Sequence, residues 1–192
     1  MTSDLKQRIV EAATKSFSLF GYKATTMDQV ARIAEVGKGT IYTFFTCKED
    51  LFTHILNTLI QEMKRDANAS IQAGEPFFAN LERAFHAILS YRKQHEMFVK
   101  LSQELRDFGT HAVKDGLQKV EDAIVQYIAK HIADGIDSGN VKPCNPEVVA
   151  FMMLRTYTAL VFDWERGHTR ITDEEITRVF QLVFADGLDQ RV

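Results

Sequence analysis

The 192-residue sequence predicts an all-α fold of about nine helices. Three observations carry this expectation. Apolar residues recur at helical spacing along most of the chain. Residues suited to helix ends stand at the limits of these stretches. Only three prolines and ten glycines punctuate the chain, too few for the frequent turns of a strand-rich fold. Neither a convincing strand nor an internal repeat emerges.

Leu5, Ile9, Ala13, Phe17 and Phe20 place a first helix over about residues 3–20, with Gly21 where a left-handed C-terminal cap is wanted. Thr26 precedes Gln29 at capping-box spacing, and Met27, Val30, Ala31 and Ala34 give a short second helix. Residues 38–45 follow Gly37 as a two-turn third helix. Thr46 and Glu49 repeat the capping-box spacing and open a fourth, to about Ala73, whose inward face is Leu51, Phe52, Ile55, Leu59, Ile60 and Met63. After the break at 74–76, Phe77, Leu81, Phe85 and Ile88 mark a fifth helix and Phe98, Leu101 and Leu105 a sixth. Beyond Gly109, Val113, Leu117, Val120, Ile124, Ile128 and Ile132 line a long seventh. Asn145, Pro146 and Glu147 supply cap, first-turn proline and dipole-favourable acid for the eighth, which carries Val149, Met152, Met153, Tyr157, Leu160, Val161 and Trp164. Thr172 and Glu175 cap a ninth with Ile176, Val179, Phe180, Val183 and Phe184.

Apolar residues make up 45% of the chain and charged residues 26%, the balance of a soluble globular protein. Cys47 and Cys144 lie far apart with no Cys or His at ligand spacing, which argues against a disulfide framework and a zinc site and for a reducing, cytoplasmic compartment. The polar N-terminus has no signal core, and no run approaches the ~18 apolar residues of a membrane span. His54, His86, His95, His111, His131 and His168 form no metal-ligand pair, and inward Glu-x-x-His pairs are missing. No metal, cofactor or catalytic residue is therefore expected. The net charge is −3, but the first forty-five residues are mildly basic, with Lys6, Arg8, Lys15, Lys23, Arg32 and Lys38 against Asp4, Glu11, Asp28 and Glu35.

Two short helices joined by a tight turn have the layout of a helix-turn-helix, with the first helix needed to complete their core. On the third helix Ile41 and Phe45, four apart, face inward and leave Lys38, Thr40 and Tyr42 outward. Gly39 allows close approach of the backbone to a base pair, Thr40 suits a base edge, and Tyr42 can donate to a phosphate. From Gly21 to Phe52 the chain resembles the DNA-binding segment of the TetR family, through Gly21, Tyr22, Thr25, Thr26, Ala31, Ala34, Val36, Gly39, Thr40, Ile41, Tyr42, Phe45, Lys48, Glu49, Leu51 and Phe52. The resemblance implies phosphate contacts from Thr26, Tyr42 and Lys48, and base-edge contacts from Lys38, Gly39 and Thr40. Three positions depart from it: Glu35 replaces a glycine in the turn, Gly37 a serine cap, and Phe44 a histidine or tyrosine.

The resemblance further implies a DNA-binding domain over residues 1–47 and a ligand-binding and dimerisation domain over 48–192, connected by the helix 48–73. It implies a repressor that binds a pseudo-palindromic double-stranded operator as a homodimer and is released by a small hydrophobic or amphipathic effector. A ligand-independent regulator or an activator using the same helix-turn-helix is the alternative. Phe98, Leu101, Glu104, Leu105, Phe108, Met152 and Tyr157 are the candidate ligand-binding residues. Tyr157, Val161, Trp164, Phe180 and Phe184 are the candidate dimer interface, because the last two helices carry more apolar surface than one face needs.

Overall fold

The computed structural model describes residues 2–89, 92–164, 167–169 and 171–188. Among them the chain forms nine helices and no strand: α1 Thr2–Ala24, α2 Met27–Ile33, α3 Lys38–Tyr42, α4 Lys48–Ser70, α5 Phe77–Leu89, α6 Arg92–Phe108, α7 His111–Asp137, α8 Pro146–Thr158 and α9 Asp173–Phe180. The all-α expectation holds. Helix α8 runs on into a π-helical turn, Ala159–Asp163, and α9 into another, Gln181–Ala185, closed by Asp186–Leu188. The chain packs as two compact units, Met1–Gln61 with Tyr91–Val120, and Glu62–Ser90 with Glu121–Val192.

In the first unit, Ile9, Phe17, Val30, Ile41, Leu51, Phe52, Met97, Leu101 and Val113 are fully or almost fully buried. Most of these are the positions of the predicted apolar stripes, but on α6 the buried partner of Leu101 is Met97, while the expected Phe98 and Leu105 are half-buried. Phe17, Tyr22 and Phe52 form an aromatic cluster, with centroids 5.8 Å apart for Phe17 and Tyr22, 5.3 Å for Phe17 and Phe52, and 4.9 Å for Tyr22 and Phe52. In the second unit, Ala129, Ile132, Val141, Ala150, Met153, Ile176, Phe180 and Phe184 make the core. Gly135 is required there: a Cβ would stand 2.7 Å from Val141 Cγ2 and 2.8 Å from Phe77 Cε2.

Several boundaries differ from the sequence reading for identifiable reasons. Helix α1 breaks after Phe20 as expected, at Gly21, whose φ of 81° and ψ of 174° suit only glycine, but a short helical segment beyond the kink carries the chain on to Ala24. Thr25 steadies this step, donating from Oγ1 to the Gly21 carbonyl at 2.8 Å. Helix α3 is a single turn of five residues, although Phe44 and Phe45 still donate to Ile41 O. The expected Thr46–Glu49 capping box does not form, and Asp50 takes over the contacts at this helix start. The Asp50 N–H reaches Cys47 Sγ at 3.4 Å, while Asp50 Oδ2 accepts from Thr46 N at 2.9 Å. The boxes at the other two starts differ from each other. Thr172 and Glu175 make both arms, while at α2 Thr26 accepts from Gln29 N. Val183, grouped with Phe180 and Phe184 by helical spacing, is 51% exposed. The π turn widens the helix so that Ile176, Phe180, Phe184 and Leu188, strictly four apart, stay on the core side and Val183 swings out.

Candidate nucleic-acid interface

The reading head is built on the turn between α2 and α3. Glu35 adopts a left-handed conformation, φ 54°, where the TetR resemblance has a glycine. Val36 N then donates to Ala31 O at 3.0 Å, reversing the chain. Arg8 of α1 fixes this turn from outside: its guanidinium donates to Ala34 O at 2.7 Å and lies 4.0 Å from the Glu35 carboxylate. The sequence reading missed Arg8, since nothing in helical spacing links it to a turn 26 residues away.

Gly37, extended at φ −64° and ψ 145°, leads into α3. Ile41 and Phe45 are buried, as inward spacing requires, and Tyr42 on the same short turn is 46% exposed. Thr40 is half-buried, and Lys38 and Gly39 are exposed. A Cβ at Gly39 would meet nothing within 4 Å. Nothing in the chain itself requires glycine there. Thr26 is exposed at the start of α2, its Oγ1 accepting from Gln29 N at 3.2 Å. Lys38 pairs with Asp28 of α2 at 2.8 Å, tying the two helices together across the exposed face. That hydrogen bond, then the Asp28 charge, raises the lysine pKa above its ordinary value.

Lys48 sits differently from the other candidate contacts. Its half-buried ammonium donates to Tyr22 O and Thr25 O, both at 2.8 Å, and lies 4.3 Å from the Tyr22 ring centroid. It therefore neutralises carbonyls at the C-terminal end of α1 and anchors the start of α4 there. Burial lowers its pKa, with the Glu104 charge opposing that shift.

The remaining candidates divide between the units. In the first, Leu101 is buried and Phe98 and Leu105 are half-buried. Glu104 is only 6% exposed, and both its oxygens accept from Lys23 N at 3.0 Å. Phe108 is 63% exposed, with Lys23 Nζ 4.3 Å from its ring centroid. In the second unit, Tyr157 and Val161 are half-buried against the core, while Phe180 and Phe184 belong to that core and pack on each other at 5.2 Å. Phe180 and Phe184 thus turn into the core of the second unit rather than outward. Met152 and Trp164 are exposed, as are Val148, Phe151, Leu182 and Val183. Among the described residues no group of three His, Cys, Asp or Glu side chains can hold a metal ion, and no helix is long and apolar enough to cross a membrane.

A short helix with a buried inner edge, an exposed polar outer edge and a capped partner helix across a tight turn defines a DNA-binding regulator of the helix-turn-helix class. Residues 9–55 match the bacterial regulatory proteins of the tetR family. Over 188 residues, 98% of each chain, the sequence is 51% identical to YhgD, an uncharacterized HTH-type transcriptional regulator of Bacillus subtilis (strain 168). Over 61 residues, 32% of this chain and 31% of the other, it is 41% identical to the HTH-type transcriptional regulator QacR of Staphylococcus aureus (strain Mu50 / ATCC 700699). The fold is similar to the crystal structure of a TetR-family regulator from Syntrophomonas wolfei, with a TM-score of 0.78 at 19% identity, covering 93% of this chain and 92% of that one. The chain belongs to the tetR family of bacterial regulatory proteins.

Proposed function

We propose that the protein represses transcription by binding a pseudo-palindromic operator as a homodimer, and that a small, mostly apolar ligand releases it. The observation that carries this reading is the division of α3 and the turn that follows it: Ile41 and, just beyond the helix, Phe45 are locked into the core while Lys38, Gly39 and Tyr42 stand exposed. On this reading Tyr42, Thr26 and the ammonium of Lys48 hold phosphates, and Lys38, Gly39 and Thr40 meet base edges. A single turn of recognition helix reads few base pairs, so specificity requires two heads about 34–36 Å apart on successive turns of the duplex. The second copy packs on the apolar groups left exposed around α8 and the π turn after α9, namely Val148, Phe151, Met152, Trp164, Leu182 and Val183.

Selection of duplexes from a random pool by the purified protein tests the DNA reading, with a two-fold symmetric sequence expected. Enrichment of an asymmetric sequence, or a monomer in sedimentation at micromolar concentration, would overturn the dimer. In vitro transcription from a promoter carrying the selected site should fall with added protein and recover when compounds from a panel of apolar ligands are titrated in. Transcription that rises with protein would make it an activator. Recovery produced only by strongly hydrophilic compounds would overturn the ligand class.

A further inference from the structure

We propose that Glu104 is a positioning residue of the DNA-reading head: by gripping the Lys23 amide it fixes the kink at Gly21 and thereby where α2 begins. The inference rests on the head binding DNA and adds a residue that lies on α6, outside the helix-turn-helix.

The geometry is specific. Helices α1 and α6 pack on one another, and at their contact the buried Glu104 carboxylate takes the Lys23 N–H on both oxygens at 3.0 Å. Gly21 stands so close that a Cβ would lie 2.5 Å from Glu104 Oε2, and its φ of 81° already excludes most other residues. The short segment that follows is held from the other side by polar groups. Thr25 Oγ1 donates to Gly21 O at 2.8 Å and shares a hydrogen bond with the buried Ser16 hydroxyl at 2.9 Å. Lys48 Nζ takes Tyr22 O and Thr25 O. Thr26, the cap of α2, is the next residue. Moving the Lys23 amide therefore moves the N-terminal end of α2 and, because α3 packs on α2, the base-facing residues Lys38, Gly39 and Thr40 with it.

A carboxylate here carries a desolvation cost that its hydrogen bonds to the Lys23 amide offset. A leucine would bury apolar surface without that cost but would leave the Lys23 N–H unpaired. What a leucine lacks is an acceptor that fixes one amide in space.

The test compares Glu104→Leu, Glu104→Asp and Glu104→Gln for the ratio of affinities toward the selected operator and a scrambled duplex of the same composition, with circular dichroism melts run on the same samples. Leucine has no acceptor, and aspartate is one methylene too short to reach Lys23 N. Both should lower the ratio roughly tenfold, the scale of a lost hydrogen bond to a charged group. Glutamine keeps an acceptor at the same reach and should restore the ratio to within about threefold of the unmutated protein. If Glu104→Leu does not fold, Glu104→Asp alone decides. A folded Glu104→Asp or Glu104→Leu protein whose ratio stays within about twofold of the unmutated one overturns the proposal. So does a glutamine variant as impaired as leucine. An unmutated protein that enriches no duplex would overturn the DNA reading itself, a different and recognisable failure.

Discussion

Replacing Gly21 by alanine should be among the most damaging single-methyl additions in the first unit. Two costs add. A non-glycine residue at φ 81°, ψ 174° carries backbone strain of about 1–3 kcal/mol. The new Cβ would also sit 2.5 Å from Glu104 Oε2, so the carboxylate must withdraw. Its bond to the Lys23 amide, an acceptor-charged hydrogen bond, contributes about 1.5–3 kcal/mol. The sum is roughly 2.5–6 kcal/mol, and at about 2–4 °C per kcal/mol for a chain of this size the melting temperature should fall by about 5–24 °C. Gly74→Ala is the internal control. Gly74 has φ 85° but nothing within 4 Å of a built Cβ, so it carries strain alone, about 1–2 kcal/mol, and a drop of a few degrees. Thermal unfolding by circular dichroism measures both. Equal drops in the two variants would refute the argument that Gly21 is demanded by the Glu104 contact.

Gly39→Ala meets no neighbour in the chain and removes a helical glycine, so the melting temperature should hold or rise by the equivalent of up to about 1 kcal/mol. Its operator affinity should nevertheless fall, read in the same titration. Tyr42→Phe should weaken binding about fivefold on operator and scrambled duplex alike, the worth of one neutral hydrogen bond to a phosphate. In the second unit Gly135→Ala forces Cβ against Val141 and Phe77 and should cost about 1–3 kcal/mol in denaturant unfolding. Burial holds the His54 and His131 imidazoles below their ordinary value of 6.5, with Lys6 adding to the effect at His54. The unfolded chain then takes up these protons first. Stability is fully present above that value and is lost as pH falls through the lowered folded values, so His131→Gln should flatten the acid limb of a stability profile.

The sequence was most readable where one periodicity decides one face. Ile9, Phe17, Val30, Ile41 and Phe52 fall in the core because each lies on the single apolar stripe of its helix. Caps were readable where the acceptor is local, as at Asn145, which takes the amides of Glu147 and Val148, and at Thr172. What escaped was set by partners far along the chain. Glu104 reads in the sequence as a candidate ligand contact, and nothing there signals its bond to the Lys23 amide because that partner is 81 residues away. Lys48 reads as a phosphate contact, and the carbonyls of Tyr22 and Thr25 that accept from its ammonium, 26 and 23 residues away, give no signal in the spacing. At the start of α4, Thr46 and Glu49 have the right spacing, but Cys47 and Asp50 share that spacing one residue later, and spacing alone does not choose between them.

The π turn at Gln181–Ala185 can be treated as a one-residue insertion. An uninterrupted α-helix repeats its face after seven residues, in steps of three and four. Deleting Leu182, which is 69% exposed, would bring Phe180 and Phe184 to a spacing of three between two spacings of four, and the core would accept a regular helix without further change. The core therefore has no use for the extra residue, whose effect is to present Leu182 and Val183 to the outside. A chain lacking it would keep its interior while losing a ridge of its exterior, so a one-residue length change here alters the surface of the second unit without disturbing its core.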